Sequence, residues 1–265
     1  MEFLRVVKQR SVLSELIYIL LNLGLALAVL IVTWATGTPW LALALVLLSK
    51  WRVLAVRPRF WLAHVEANMV DFIVSVGLVI LMYLVGQTGI DHAMAVQAFL
   101  AICYAGWLLL LKPRGSRNAI AIQSAVAIVI GTIALGSLSY EWPSSVVVLV
   151  MWVIGYSSAR HILVAYSDDH LRLLSLIWGF VVAEIGWLTY HWTIAYSLPF
   201  GAGLKLPQMT LLVLGLSFLA DRVYASYVKH DGHVKMNDII LPLLLSLGVM
   251  FILLTVFNAA SIGAA

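Results

Sequence analysis

The sequence predicts an all-α, polytopic integral membrane helical bundle of about nine transmembrane helices, and three observations predict it. Of the 265 residues, 63% are apolar and only 11% are charged, less than half the roughly 25% usual in soluble domains. So few charges cannot cover a soluble surface of this size, so lipid has to cover it. The apolar residues fall into nine runs, each near the ~20 residues a spanning helix needs. The connections between the runs are too short to fold separately, so residues 1–265 read as a single transmembrane domain.

The first run, Leu13–Trp34, follows Arg5, Lys8 and Arg10. That start resembles the basic region of a signal peptide. The run is too long for one, however, and no small-x-small cleavage site follows, so it reads as a retained span. The second, Pro39–Val56, has Thr38 placed to cap it and a proline in its first turn, where the missing donor costs nothing. The third, fourth and fifth are Met69–Val85, Ala93–Leu111 and Ala119–Leu138. The sixth, Ser144–Val164, is announced by Glu141-Trp142-Pro143-Ser144. The seventh is Leu171–Ile194. The eighth, Pro207–Tyr227, starts at Leu206-Pro207. The ninth, Asp238–Phe257, carries Pro242 early, which should bend it.

Charge sets the orientation. Under a nine-span count, Arg5, Lys8, Arg10, Lys50, Arg52, Arg57, Arg59, Lys112, Arg114, Arg117, Arg160, Arg172, Arg222, Lys229 and Lys235 all fall on one side, and only Lys205 falls on the other. A wrong count would scramble this alternation, so the N-terminus is expected in the cytoplasm and the C-terminus outside. The net charge of +4 thus reports topology, and nucleic acid is not an expected partner. Trp34, Trp40, Tyr140, Trp142 and Trp192 would lie near the outer interface and Trp51, Trp61 and Trp107 nearer the inner one, as an aromatic belt does. The longest inner connection, RPRFWLAHVEAN over 57–68, reads either as an interfacial amphipathic turn whose arginines meet anionic headgroups or as a solvated loop. The lone cysteine, Cys103, forms no intrachain disulfide and reads as a small buried apolar residue.

The inner ends of three even-numbered spans look alike: Arg52-Val-Leu-Ala-Val, Arg160-His-Ile-Leu-Val-Ala-Tyr and Arg222-Val-Tyr-Ala-Ser-Tyr. Tandem helical hairpins would produce this. Alternating topology produces basic inner ends equally well.

Ionisable groups inside a membrane are costly and therefore functional candidates. Glu184 lies twelve residues past Arg172, roughly 18 Å into a core of about 30 Å, and reads as the only acid at such depth. His191 follows seven residues on, on the same helix face. A desolvated carboxyl with a histidine near the outer interface is a conceivable proton path; interhelical hydrogen bonding is the plainer role. Asp71 reads as opening the third span, and Asp221 with Arg222 as closing the eighth, where neighbouring helices or headgroups would meet them. Asn22 and Gln97 read as packing contacts. At the cytoplasmic face, Arg160, His161, Asp168, Asp169, His170, His230 and His233 form a second candidate group. They match no specific metal frame, and a solvated juxtamembrane surface accounts for them.

No P-loop, HExxH helix or G-x-S-x-G elbow is present. Gly155-Tyr156-Ser157-Ser158 with His161 does not look like the rhomboid-protease arrangement. No paired DxxxD motif occurs, and no lysine lies within the seventh to ninth spans to hold retinal. No catalytic residue, metal or cofactor is therefore assigned. The leading expectation is a structural or accessory subunit of a membrane assembly, with the lipid bilayer and protein partners or further copies of itself around it. A small proton-coupled secondary transporter using Glu184 and His191 is the alternative. A membrane enzyme acting on lipid-linked substrates at the cytoplasmic face is the second alternative. A bacterial cytoplasmic membrane is the expected setting.

Overall fold

Apolar side chains on every face of a helix force it to be covered by lipid or by other helices, and the chain does both. In a computed structural model, which describes residues 12–53, 55–166, 170–192, 194–197 and 204–255, the described residues form nine α-helices: α1 Val12–Thr36, α2 Trp40–Ser49, α3 Trp61–Gln87, α4 Ala93–Gly106, α5 Arg117–Leu138, α6 Ser144–Val164, α7 Leu171–His191, α8 Gln208–Lys229 and α9 Met236–Thr255. Eight of them are long and apolar enough to cross a membrane. The expected all-α multi-pass bundle is what folds.

The exception is α2, whose ten residues extend about 15 Å. It gives way to a short 3-10 turn at Trp51–Val53, so the run expected over 39–56 is half helix. Thr38 does not cap it; Pro39 holds the cap position and Thr38 bonds with Thr36. The chain compensates in α3. The stretch expected as a loop or amphipathic turn over 57–68 is a single 3-10 turn, Pro58–Phe60, running straight into α3 at Trp61. Pro58 pre-sets the first turn, and the Trp61 indole closes the entry by donating to the Val56 carbonyl at 3.0 Å. Asp71 therefore lies well inside α3 rather than at its opening.

Helices α3 and α5 form the centre. One apolar cluster joins α1, α2, α4 and part of α5 around Val74, Leu78 and Met82 of α3. A second joins α5 to α6, α7 and α8 around Ile128, Met151 and Val182. Small residues permit the closest approaches, as they do where van der Waals packing must hold helices together in lipid. A Cβ on Gly155 of α6 would stand 2.6 Å from Val182 Cβ on α7, and one on Gly186 of α7 would stand 2.6 Å from Met151 Cγ. Gly77 on α3 packs equally tightly on Ile130 of α5. Cys103, expected inside, is exposed on α4.

Between α7 and α8, β1 (Ala195–Ser197) pairs antiparallel with β2 (Lys205–Pro207). Helices α8 and α9 pack on each other, joined by a turn in which Asp231 and Gly232 take positive φ, a conformation asparagine, aspartate and glycine tolerate best. This hairpin is the least covered part of the bundle.

Candidate functional site

The polar groups of the bundle gather in three places. The deepest is built on Asp71. Its Oδ2 accepts from Lys112 Nζ at 2.8 Å and from Lys50 Nζ, while Oδ1 accepts from the Trp107 indole at 2.9 Å. Asp71 and Lys50 are each 7% exposed. Local structure explains how Trp107 and Lys112 reach one carboxylate. Five residues apart on a regular α-helix they would point about 140° away from each other. The chain over Trp107–Leu111 instead widens into a π-type turn, with Lys112 N–H bonding the Trp107 carbonyl at 2.9 Å, and this stacks the two side chains on one side. Tyr18 of α1 donates to the Leu108 carbonyl inside that turn at 3.0 Å. Lys50 arrives from the end of α2, because the helix stops there. Ser75, one turn further along α3, and Tyr104 of α4 are fully buried beside the cluster.

The second place is the basic end of the bundle. Arg160 pairs with Glu66 of α3 at 3.1 Å, across a partly exposed gap. His161 Nε2 meets Gln123 Oε1 at 2.7 Å, and the same glutamine's amide donates to the Leu111 and Arg114 carbonyls, holding the end of α4. Tyr166 bridges two helices: its hydroxyl donates to Asp221 Oδ1 at 2.8 Å, Arg117 donates to that hydroxyl, and the guanidinium lies 4.3 Å from the ring centre. Burial and the Asp221 carboxylate push the Tyr166 phenol up to about 12. Arg222 is exposed and lies over the Phe218 ring. Asp238 gathers Ser226, Lys229 and His230. His233 and His170 are exposed. Asp168 and Asp169 lie outside the described residues. Among the described residues, no three His, Cys, Asp or Glu side chains group as metal ligands do.

The third place is the outward face of α7. Leu173, Ile177, Phe180, Glu184, Trp187 and His191 recur at three- and four-residue steps, and all are exposed. Glu184 has no hydrogen-bond or ionic partner among the described residues. His191 stacks edgewise on Trp187 and Tyr190, with ring centres 5.0 and 5.4 Å away; it does not reach Glu184. Glu184 is not alone as an acid within a long apolar helix: Asp71 lies ten residues inside α3.

Sequence reading thus selected Asp71 without its partners and passed over Lys50, Lys112 and Trp107. The sequence signals them only through charge: Lys50 and Lys112 read there as topology markers, although each stands at the end of a strongly apolar run. Gln97, expected to pack, is buried and donates to the Met82 carbonyl at 2.8 Å. Arg52, Arg160 and Arg222, the three similar helix ends, have unlike surroundings: exposed, paired with Glu66, and laid on Phe218.

Comparison with protein families, with curated proteins and with solved structures finds no match to this chain.

Proposed function

We propose that the chain is a structural or accessory subunit of a membrane assembly and that it docks through the outward face of α7. One observation carries the reading: Glu184, the fourteenth of the 21 residues of a helix long enough to span, is exposed among Phe180, Val181, Trp187 and Leu188 with no bonding partner among the described residues. A carboxyl in that position costs several kcal/mol against lipid tails. A polar side chain on a facing helix, from a partner or from a second copy, removes that cost by hydrogen bonding and contributes about 0.6–2 kcal/mol to association. The same exposure argues against a proton path through the interior, because the carboxyl leads away from the other helices.

The orientation we infer is N-terminus cytoplasmic and C-terminus outside, in a bacterial cytoplasmic membrane. The support is the one-sided distribution of lysine and arginine. Contacts within the bundle agree with alternating passes. Tyr18 near the start of α1 meets Leu108 near the end of the fourth pass, and Gln87 at the end of α3 donates to the Gly37 carbonyl just past α1.

The test is purification in mild detergent with mass measurement of the intact particle. A mass above the 29.2 kDa of one chain, from a partner or a second copy, is expected. Glu184→Leu should weaken that association roughly 3- to 30-fold, the equivalent of one interhelical hydrogen bond. A particle that stays a single chain, with Glu184→Leu unchanged in every respect, would sink the reading.

A further inference from the structure

The hairpin α8–α9 packs on α5 and, through Met209 and Val213, on the α6–α7 cluster, but cavities open beside it toward Asp221, and they have a definite chemistry. One cavity, of about 200 Å³, lies among α5, α6, α7 and α8, lined by Ile162, Leu174 and Trp178. A larger one, of about 400 Å³, lies among α5, α6, α8 and α9, lined by Leu214, Phe218 and Val249. Its size is within the ~300–1,000 Å³ of ordinary ligand sites. Both are almost wholly apolar. Both are lined by Ser217, whose hydroxyl is buried with no partner among the described residues. Both end at Asp221.

On the far side of Asp221 the surroundings invert. A third cavity, of about 390 Å³ and lined by Arg117, Arg222, Lys229, Ser226 and Asp238, shares Asp221 and Ala121 with the larger apolar one. Its three cations outnumber its two carboxylates. Arg222 makes no ion pair among the described residues, and Lys229 holds Asp238 only at 3.4 Å. An apolar slot that continues into an excess of cations at one end of a membrane bundle matches one kind of molecule. It is long and apolar at one end and anionic at the other.

We propose that this wedge is a seat for one membrane lipid with a phosphate-bearing headgroup. The acyl chain lies in the two apolar cavities along Ser217 and Phe218. The phosphate meets Arg222 and Lys229, with Arg117 behind them, by the charge-assisted bonds that basic pockets between spanning helices make with such headgroups. Tyr166, hydrogen-bonded to both Arg117 and Asp221, ties a cation of the third cavity to the carboxylate that all three cavities share. This seat shares Ile177 with the outward face of α7 but does not include Glu184, so the Arg222, Lys229 and Ser217 variants test it without touching the carboxyl on which the assembly reading rests.

The experiment uses the full chain in vesicles of neutral phosphatidylcholine doped with either phosphatidic acid or diacylglycerol of the same acyl chains. Native mass spectrometry after extraction reads the lipid retained. Wild type should keep one phosphatidic acid per chain and hold diacylglycerol at least roughly tenfold less, the factor that ~1.4 kcal/mol of headgroup contact supplies. Arg222→Gln with Lys229→Gln, both on exposed side chains, should bring phosphatidic acid down to the diacylglycerol level. Ser217→Phe should fill the slot and abolish retention of both. Ala220→Leu, a milder filling of the smaller cavity, serves if Ser217→Phe does not fold. Equal retention of the two lipids, retention unchanged by the Arg222 and Lys229 changes, or displacement of phosphatidic acid by inorganic phosphate alone would overturn the proposal.

Discussion

Removing the charge of Asp71 without changing its shape should unfold the centre of the bundle more than any surface change. In Asp71→Asn the side chain still fits between α2, α3 and the π-type turn, and its amide oxygen still accepts from the Trp107 indole. What goes is the anion facing two ammonium groups. The two lysines respond differently. Lys112 has a side chain 40% exposed, so it turns toward headgroups and water, and its pairing is worth the ~0–1 kcal/mol of an exposed bridge. The Lys50 side chain is 5% exposed and cannot turn away, because α2 ends against α3 there. Leaving one member of a buried pair alone costs about 3–5 kcal/mol, or roughly two to four decades in the folding equilibrium. The control removes both: Asp71→Leu with Lys50→Met should return to within about 1 kcal/mol of wild type, since a packed apolar pair replaces a desolvated ionic one at little cost. Unfolding in mixed micelles by sodium dodecyl sulfate, followed by tryptophan fluorescence, measures each variant. A loss under ~1 kcal/mol for Asp71→Asn, or a double variant as unstable as the sum of its parts, would refute the account of Asp71 as the neutralising centre.

Further outcomes follow from packing and from titration. Gly155→Val should separate α6 from α7, because its Cβ would fall 2.6 Å from Val182 Cβ; a loss of about 1–3 kcal/mol is expected from such overpacking, against no packing loss for Gly24→Val, which has open space around it. The same unfolding titration compares them. Tyr166 should stay un-ionised while ordinary tyrosines titrate. With its folded value near 12 above the ~10 of an unfolded chain, its contribution to stability is complete below about pH 10 and is lost as pH rises toward 12. Ultraviolet titration should therefore find the tyrosines ionising near pH 10 unchanged in number in Tyr166→Phe, and a loss of one from that group would contradict the bridge to Asp221.

Much of the candidate chemistry was legible because membranes penalise charge. Glu184 is conspicuous in LIWGFVVAEIGWLTYHW by that rule alone, and counting residues from Arg172 gives its depth. Its direction was not legible: whether a carboxyl on α7 faces the bundle or the lipid depends on which side Gly155, Gly179 and Gly186 let α6 approach, and no periodicity in a helix that is apolar all round reveals that. The segment 57–68 misled in the opposite sense. Its arginines, histidine and glutamate look like a solvated connection, although Pro58 at a first-turn position and Ala63, Glu66 and Ala67 after it are good helix starters and formers. Missing that start displaced Asp71 to a helix end and hid its partners.

By itself, the sequence determined that this is a multi-pass helical membrane protein, because composition and run length decide whether backbone and side chains can leave water, and those are properties of each segment alone. Only the tertiary structure decided that α2 stops short, that two lysines from distant segments share Asp71, that Cys103 and Glu184 face outward, and that α8–α9 leaves a wedge with cations at its mouth. The reason is physical: in lipid the hydrophobic effect does not choose which helix faces meet, so shape, small residues and the few buried polar bonds make that choice, and all three exist only between segments.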